Sequence, residues 1–534
     1  MSVQNETFSV CGSSFLYGYF LNFAIVKTAI MKKLMNSVVL LFASAGFLSA
    51  GNIKTIEFVP DSTTVLKNPL SGWVMYMGRH WDENFWDRQG YDNMPTDEGG
   101  TVKVSDYAST AYIRTSWRSL EPEEGKYAWS DPDSRISRLF KSVMDRGMRL
   151  AFRIVVDGRD QGQNTPMYVF EAGAEGFRHK VGNRDVITPY PDDPVFQKKY
   201  AGFITALAKE FNDPDKVDFI DAYGLGKWGE AHSMDYKDDS NKIPVFDWIT
   251  DLYAKTFTRV PLVINYHRVL ANETPSGWEE YPNPDSEPML EKAIAKGYSL
   301  RHDAFGMTGY YKDWEKEFAA KWNFKRPIIM EGGWIVGAHH RYWKDPSRKY
   351  RRDHPEDVRN GEYEASRDAR VNMMDFRAGN ETRTWFQSFG LVKDFVREGG
   401  YRLYPSEITL DTELRRNSRI SLSHTWKNMG WGYCPTNIPQ WNQRYKVAFA
   451  LSDESGKIVK VHVEKSSDLS TWLKETPVSY STSFSLRGIK PGTYVVSVAL
   501  VDVTKGNVPA IQMAVDGELL DKDGWARIDS VDIK

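Results

Sequence analysis

Cysteine is scarce in this 534-residue chain, which has only Cys11 and Cys434. Cys11 lies in an N-terminal stretch that is typical of a removable secretion signal, so Cys434 is the one cysteine expected in the mature chain. A lone cysteine excludes an internal disulfide and a cysteine-based zinc site. We therefore expect the fold to be stabilised by packing.

The chain also lacks an excess of charge of either sign, since 69 Lys and Arg residues face 71 Asp and Glu residues, a formal net charge of -2. Without net basicity there is no reason to expect a nucleic-acid partner. The phosphate-cradling P-loop, the G-x-S-x-G nucleophile elbow and the dinucleotide fingerprint are missing from the sequence. His232 lacks the spaced ligand partners that zinc requires. We expect no cofactor and no metal.

Long apolar runs occur only near the N-terminus. Met31-Lys32-Lys33 forms a positive segment, residues 38–47 are mostly apolar, and small residues such as Ala50 offer cleavage sites. A signal does not normally begin thirty residues into a chain, so we predict Met31 as the true start and residues 1–50 as the removed part. No later run approaches the ~18 apolar residues of a membrane span. These features predict a periplasmic or extracellular protein without a membrane span.

Between about residues 72 and 399, short apolar runs alternate with longer amphipathic ones, a pattern typical of β/α units around a parallel sheet. Eight units close more naturally into a barrel than into an open sheet, and active sites in such barrels lie at the C-terminal ends of the strands. We predict an α/β fold, a (β/α)8 TIM barrel over residues 51–400. Its strands are expected at 72–77, 111–115, 150–156, 219–224, 262–266, 299–304, 327–330 and 382–386.

After residue 399 the helical periodicity disappears. Short alternating segments at 420–424, 446–451, 494–501 and 510–514 are separated by turn sequences such as Asp453-Glu454-Ser455-Gly456. This pattern predicts an all-β, immunoglobulin-like sandwich over residues 401–534. Either a packed accessory domain or a glycan-binding domain fits it.

Two glutamates follow predicted strands of the barrel. Glu230 comes shortly after the fourth strand, beyond several glycines, and Glu331 ends the apolar seventh strand. Hydrolysis of a glycoside with retention needs one carboxylic acid to protonate the leaving oxygen and one carboxylate to attack the anomeric carbon. Two glutamates in different surroundings can divide these roles, because apolar burial raises a carboxyl pKa and nearby donors lower it.

Glutamates at the ends of strands 4 and 7 resemble the pair of the clan A superfamily of retaining barrel glycosidases. The segment from Arg114 through Trp117 and Glu121-Pro122 to Trp129 is similar to one found in beta-galactosidase-like members of that clan. Trp228-Gly229-Glu230-Ala231-His232 and the segment at 301–306 are similar, more narrowly, to a family of secreted bacterial barrel proteins that end in a sandwich domain. The resemblance implies that Glu230 is the acid/base and Glu331 the nucleophile.

The sequence departs from the clan at Gly229, where many members carry an Asn that hydrogen-bonds the 2-hydroxyl of the sugar. Other side chains at strand ends are candidates for substrate binding, and ion pairing or packing is the alternative for each. Arg114 is a candidate donor to the nucleophile, Arg301 and Asp303 are candidates for pairing with each other, and Trp385 is expected to close the eighth strand. The candidate substrate-binding residues are Arg114, Trp228, Tyr266, His267, Arg301, Asp303, Trp334 and Trp385.

The sequence thus predicts a secreted retaining glycoside hydrolase that cleaves O-glycosidic bonds of a poly- or oligosaccharide. A non-catalytic glycan-binding protein on the same scaffold is one alternative; it predicts glutamates more than about 10 Å apart or held in ion pairs. An inverting glycosidase is another, and predicts a carboxyl separation of about 6.5–9.5 Å.

Overall fold

The computed structural model describes residues 52–78, 82–159, 161–275, 277–279, 282–306, 311–335, 350–351 and 353–534. The predicted signal, residues 1–50 with the start at Met31, lies outside these residues and stays a prediction. In the described part of the chain, no helix is both long and apolar enough to cross a membrane.

Eight parallel strands close into a barrel, each strand pairing with its neighbours in chain order and β8 with β1. The predicted (β/α)8 barrel is confirmed, and seven of its strands lie within a few residues of their predicted positions. The strands are β1 (Gly72–Tyr76), β2 (Ala108–Ser116), β3 (Arg149–Val155), β4 (Val217–Asp221), β5 (Leu262–Asn265), β6 (Tyr298–His302), β7 (Ile328–Met330) and β8 (Met373–Arg377).

The predicted position of the eighth strand is wrong. Residues 382–386 belong to the helix Asn380–Phe386, and β8 is Met373–Arg377 instead. The segment at 382–386 is rich in threonine and aromatic residues, which favour strands. In the true strand, Asp375 and Arg377 interrupt the apolar run that marks a buried strand, yet both are buried in the structure.

Helices surround the barrel where apolar residues recur at helical spacing. The clearest is Pro194–Phe211, which begins where the Asp193 side chain accepts hydrogen bonds from the N–H groups of Val195 and Phe196. Its buried stripe packs on the barrel. The other helices of this part are Phe85–Gln89, Val104–Tyr107, Trp117–Leu120, Arg135–Met144, Met167–Glu171, Lys242–Thr256, Ser286–Ala295, Asp313–Trp322, Pro355–Asp368, Asn380–Phe386 and Phe389–Glu398.

Two mainly antiparallel sheets follow the barrel. Three of the four segments predicted there are strands, whereas the fourth, 510–514, overlaps the strand Val508–Ile511 only at its first two residues. The two sheets share a continuous buried core that includes Leu422, Phe449 and Val496. The strand Ile53–Glu57, which precedes the barrel, joins the first sheet. That sheet has the order Ile53–Glu57, Leu403–Asp411, Arg419–Asn428 and Val478–Ser485; the second has Glu413–Leu414, Ala526–Ile533, Gly492–Asp502, Tyr445–Ser452 and Ile458–Glu464, with Val508–Ile511 beside Gly492–Asp502.

The C-terminal region contacts the amino-terminal end of the barrel. The Trp431 indole N–H donates to the carbonyl of Val371 at 2.8 Å, and the Asn372 amide donates to the carbonyl of Tyr433 at 2.8 Å. Val371 and Asn372 directly precede β8. These contacts leave the opposite end of the barrel, where the predicted glutamates lie, to the β-to-α loops.

Candidate active site

Glu331 lies at the C-terminal end of β7, fully buried. Its backbone N–H donates to the carbonyl of His302 at 2.9 Å, which fixes it beside the end of β6. Arg301 Nη2, Arg153 Nη2 and Arg377 Nη2 lie 2.9, 3.2 and 3.3 Å from its carboxylate oxygens. Burial raises the pKa of Glu331, but the charges of Arg301, Arg153 and Arg377 outweigh it and hold that pKa well below its usual value. Glu331 is therefore ionised at neutral pH.

The side chain of Glu230 lies near Glu331 and is carried by an irregular loop that follows β4. After β4 the chain passes through Gly224, Gly226, Trp228 and Gly229, all of which have positive φ angles, and returns over the barrel. The buried Glu230 carboxylate accepts a hydrogen bond from Arg153 Nη1 at 2.7 Å. Burial raises the pKa of Glu230, and although Arg153 opposes this, the negative charge of Glu331 adds to the increase.

Glu230 and Glu331 form a group with a third carboxylate, Asp303, just beyond β6. One oxygen of each of the three lies within 4.8 Å of the others. Asp303 is partly exposed and lies 3.6 Å from Arg377 Nη1. Burial and the charges of the two glutamates raise its pKa. The site thus pairs an ionised carboxylate with neighbours that bind a proton more readily.

Arg153, in the middle of β3, connects the two glutamates. Its guanidinium contacts Glu230 and Glu331 and also Asp221, at 2.6 Å, and its side chain is fully buried. Asp221 in turn accepts a hydrogen bond from Tyr112 at 2.8 Å. Sequence reasoning missed Arg153, although a charge within the apolar segment Leu150-Ala-Phe-Arg-Ile-Val-Val was a usable signal, since buried charges are paired.

Asp375 and Arg377 were also missed, because β8 was placed elsewhere. Asp375 accepts a hydrogen bond from the N–H of Gly332 at 2.9 Å, and Arg377 donates to the carbonyl of Gly332. Burial raises the pKa of Asp375 to about 7, against the opposing charges of Arg377 and Arg301. The two residues hold the backbone that follows Glu331.

The absence of a side chain at residue 229 has a steric cause. Gly229 has a φ of +76°, and a Cβ placed there would lie 3.2 Å from Arg153 Cδ and 3.3 Å from Gly224 Cα. Arg153 therefore occupies the space next to Gly229. Where many clan A members carry an Asn, this chain has Gly229, and the guanidinium of Arg153 lies beside Glu230.

We expect Gly229→Ala to displace Arg153 and to lower activity. The positive φ alone destabilises the fold by about 1–2 kcal/mol for a residue with a Cβ. Gly456→Ala is the matched control, since Gly456 has a φ of +81° and nothing within 4 Å of the added Cβ. Equal losses of thermal stability in both variants, with no loss of activity in Gly229→Ala, would contradict the packing of Arg153 against residue 229.

Arg114 and Arg301 both lie near the two glutamates. Arg114 Nη1 lies 3.9 Å from Glu230, and the charge of Arg114 also lowers the pKa of Glu331. Arg301 pairs with Glu331 and, at 3.4 Å, with Asp221. The predicted pair of Arg301 with Asp303 is wrong, because Arg301 is drawn to the buried carboxylates of β4 and β7, and Arg377 faces Asp303.

Tyr266 and His267 follow β5, as predicted, and contact residues of β6 and of the helix Asp313–Trp322. The Tyr266 ring packs on the rings of His302 and Phe318, at centroid distances of 4.7 and 5.6 Å. His267 Nδ1 lies 2.8 Å from Glu315 Oε1. Packing and ion pairing, the alternatives to substrate contact, account for these contacts.

The three tryptophans differ in position. Trp334 is 39% exposed, with the guanidinium of Arg377 4.8 Å from its ring centre. Trp228 contacts His232 edge-on, with ring centres 5.7 Å apart. Trp385 does not end a strand: it is fully buried in the helix Asn380–Phe386, 5.0 Å from Trp73. The first two remain candidates for stacking on a sugar, whereas Trp385 is a core residue.

No family model matches the chain, and no curated protein matches it. Among solved structures it is similar to an endo-beta-1,4-mannanase from Thermotoga petrophila, with 9% identity, a TM-score of 0.37 and coverage of 88% of this chain and 98% of the other. It is also similar to endo-glycoceramidase II from Rhodococcus sp., a lactosyl-enzyme intermediate, with 13% identity, a TM-score of 0.35 and coverage of 78% and 98%. It is similar as well to xylanase 10B from Thermotoga petrophila, with 11% identity, a TM-score of 0.33 and coverage of 58% of this chain and 83% of the other. These TM-scores are too low to support an argument about the fold. The barrel is established by the closed pairing of this chain's own eight strands.

Proposed function

We propose that the protein is a secreted retaining glycoside hydrolase, with Glu331 as the nucleophile and Glu230 as the acid/base. The observation that carries this proposal is a close pair of glutamates at the ends of β4 and β7 whose pKa values are shifted in opposite directions. Retaining hydrolysis needs an ionised carboxylate and a protonated one at the same bond. Burial and four arginines supply this difference without a cofactor.

The separation of the glutamates favours retention over inversion. One oxygen of each lies within 4.8 Å of the other, and the single guanidinium of Arg153 contacts both carboxylates. An inverting enzyme keeps its two carboxyl groups about 6.5–9.5 Å apart to admit a water molecule. Retaining enzymes place them about 5–5.5 Å apart. The gap between Glu230 and Glu331 suits direct attack on the anomeric carbon.

The proposed reaction proceeds in two steps. In the first, a Glu331 carboxylate oxygen attacks the anomeric carbon as Glu230 protonates the departing glycosidic oxygen, giving a glycosyl-enzyme ester. In the second, Glu230, now ionised, takes a proton from water while the water oxygen attacks the same carbon and releases Glu331. Arg153 contacts both carboxylates and stabilises the negative charge on whichever one carries it.

The substrate in this proposal is an oligo- or polysaccharide. Trp334 exposes part of its ring next to Arg377, and Trp228 lies in the loop that carries Glu230. Aromatic faces edged by polar groups suit sugar rings. Arg114 and Asp303, both partly exposed beside the glutamates, are proposed to contact sugar hydroxyls.

The ion pairs of the site favour a second candidate, a glycan-binding protein without catalysis. Glu331 contacts three arginines, and Arg153 ties it to Glu230. A nucleophile held this tightly must weaken some of these contacts as it attacks. Glycan affinity without release of reducing ends would identify this second function.

Glu230→Gln tests the proposed acid/base. On a panel of aryl glycosides with poor leaving groups, we expect kcat/KM to fall by about 10²–10⁴-fold. With an activated dinitrophenyl leaving group the first step needs no acid, so the glycosyl-enzyme accumulates and KM falls. Azide should then restore turnover and give a glycosyl azide of retained configuration. An azide-insensitive variant with unchanged KM would remove Glu230 from the acid/base role.

The pH profile of kcat/KM should be broad and bell-shaped. Activity requires ionised Glu331, whose pKa is lowered, and protonated Glu230, whose pKa is raised. The acid limb is therefore expected below the ordinary pKa of a glutamate, about 4.3, and the basic limb above it. Ionised Glu331 also contributes to the free energy of unfolding. That contribution is present above the ordinary pKa of a glutamate and is lost as the pH falls through the lowered pKa of Glu331. An acid limb at or above pH 5 would contradict this assignment.

A further inference from the structure

A second cluster of ionisable side chains lies beside the proposed active site. His267 follows β5, His302 ends β6, and Glu315 lies in the first turn of the helix Asp313–Trp322. Glu315 Oε1 is 2.8 Å from His267 Nδ1 and 3.1 Å from His302 Nε2. All three side chains are at most 4% exposed. Two imidazoles and a carboxylate thus converge on one buried point.

The polar contacts of His302 are few for a buried imidazole. In the described part of the chain its Nδ1 has no hydrogen-bond partner, and Nε2 has only the 3.1 Å contact to Glu315. Rings of Tyr266, Phe305 and Tyr311 surround it, with centroids 4.7 to 5.4 Å away. An unsatisfied buried polar group is costly, so a ligand for this nitrogen is expected.

We propose that His267, His302 and Glu315 bind a divalent cation of the zinc class. Two histidines and one glutamate are a common zinc ligand set. With bonds of about 2.0–2.1 Å, tetrahedral geometry places ligand atoms roughly 3.3 Å apart. The two distances from Glu315, 2.8 and 3.1 Å, need to open by only a few tenths of an ångström, and the ligand atoms of all three residues lie within 4.8 Å of one another. The other carboxylate group, Glu230 with Asp303 and Glu331, is surrounded by arginines, which repel a cation.

The bound cation would join the ends of β5 and β6 to the helix Asp313–Trp322. Asp303, next to His302, would be held in place beside the two glutamates. Three protein ligands leave one position for water or another hydroxyl. The proposal does not depend on the glycosidase function, since it concerns different side chains.

Metal content of untagged protein tests this proposal. After incubation with Zn2+ and dialysis against metal-free buffer, we expect one zinc per chain by inductively coupled plasma mass spectrometry, and a rise in Tm of a few degrees over the chelator-treated protein. Glu315→Gln and His302→Gln should each weaken zinc binding at least about 100-fold. The surface variant His354→Gln and the active-site variant Glu230→Gln should bind zinc as the wild type does.

X-ray absorption of the zinc-loaded wild type gives a readout that needs no variant. We expect two imidazole ligands at about 2.0–2.1 Å. Wild-type protein that retains no zinc, or zinc that is lost in Glu230→Gln but kept in Glu315→Gln, would overturn the proposal. The first result would make the cluster a hydrogen-bonded core, and the second would place the cation at the carboxylate group.

Discussion

Glu331→Gln is expected to lower kcat by at least about 10⁴-fold on any glycan that the wild type cleaves. Its amide cannot form the glycosyl ester, and removal of a catalytic nucleophile typically costs this much or more. The change also leaves Arg301, Arg153 and Arg377 without their shared anion, so we expect a stability loss of about 3–5 kcal/mol. Initial rates and thermal unfolding measure the two effects.

The variant Asp218→Asn separates the loss of activity from the loss of stability. Asp218 is a buried carboxylate at the other end of the barrel, where it accepts hydrogen bonds from Thr110 Oγ1 at 2.6 Å and from the N–H of Leu70 at 2.8 Å. Its loss should lower Tm and leave kcat within a few-fold of the wild type. If Asp218→Asn inactivated the protein as fully as Glu331→Gln does, the loss at Glu331 would reflect folding rather than chemistry.

Arg153→Met is expected to give the second-largest effect, on both stability and pH dependence. Three carboxylates lose a buried partner, which costs about 3–5 kcal/mol. Because Arg153 lowers the pKa of both Glu230 and Glu331, both limbs of the pH profile should move to higher pH. Arg153→Lys keeps the positive charge but loses the several N–H donors of the guanidinium. It replaces the methionine variant in this test if Arg153→Met does not fold.

Arg359→Met is the matched control for Arg153. Arg359 is equally buried and pairs with Glu362 and Glu381, which accept hydrogen bonds from the backbone N–H groups of Gly333 and Ile335. It should lose comparable stability with an unchanged pH profile. A profile that shifted equally in both variants would mean that Arg153 acts through the fold and not through the glutamates.

The parts of the site that could be predicted from the sequence are those in which a chemical signal and a strand pattern coincide. Glu331 ends an uninterrupted apolar strand and Glu230 follows a glycine-rich bend, so both were recognisable. The buried charge of Arg153 was also a signal, but its partners were not predictable, because Glu230 and Glu331 are 77 and 178 residues away and only barrel closure brings them together.

Long-range pairing also explains why the eighth strand was predicted at 382–386 and not at Met373–Arg377. Asp375 and Arg377 are buried through their pairing with groups from other strands, so their local sequence resembles a surface segment. Residues 382–386 have strand-forming side chains, yet form a helix whose Trp385 packs into the core. Tertiary pairing overrode local preference in both places.

Trapping the covalent intermediate tests the central claim most directly. The protein is incubated with a panel of 2-deoxy-2-fluoroglycosides that carry activated leaving groups, digested, and analysed by peptide mass spectrometry. We predict one glycosyl adduct per chain, on Glu331, for the sugar that the site accepts, with hydrolysis of the normal substrate retaining its anomeric configuration. An adduct on another residue, or hydrolysis with inversion, would contradict the account.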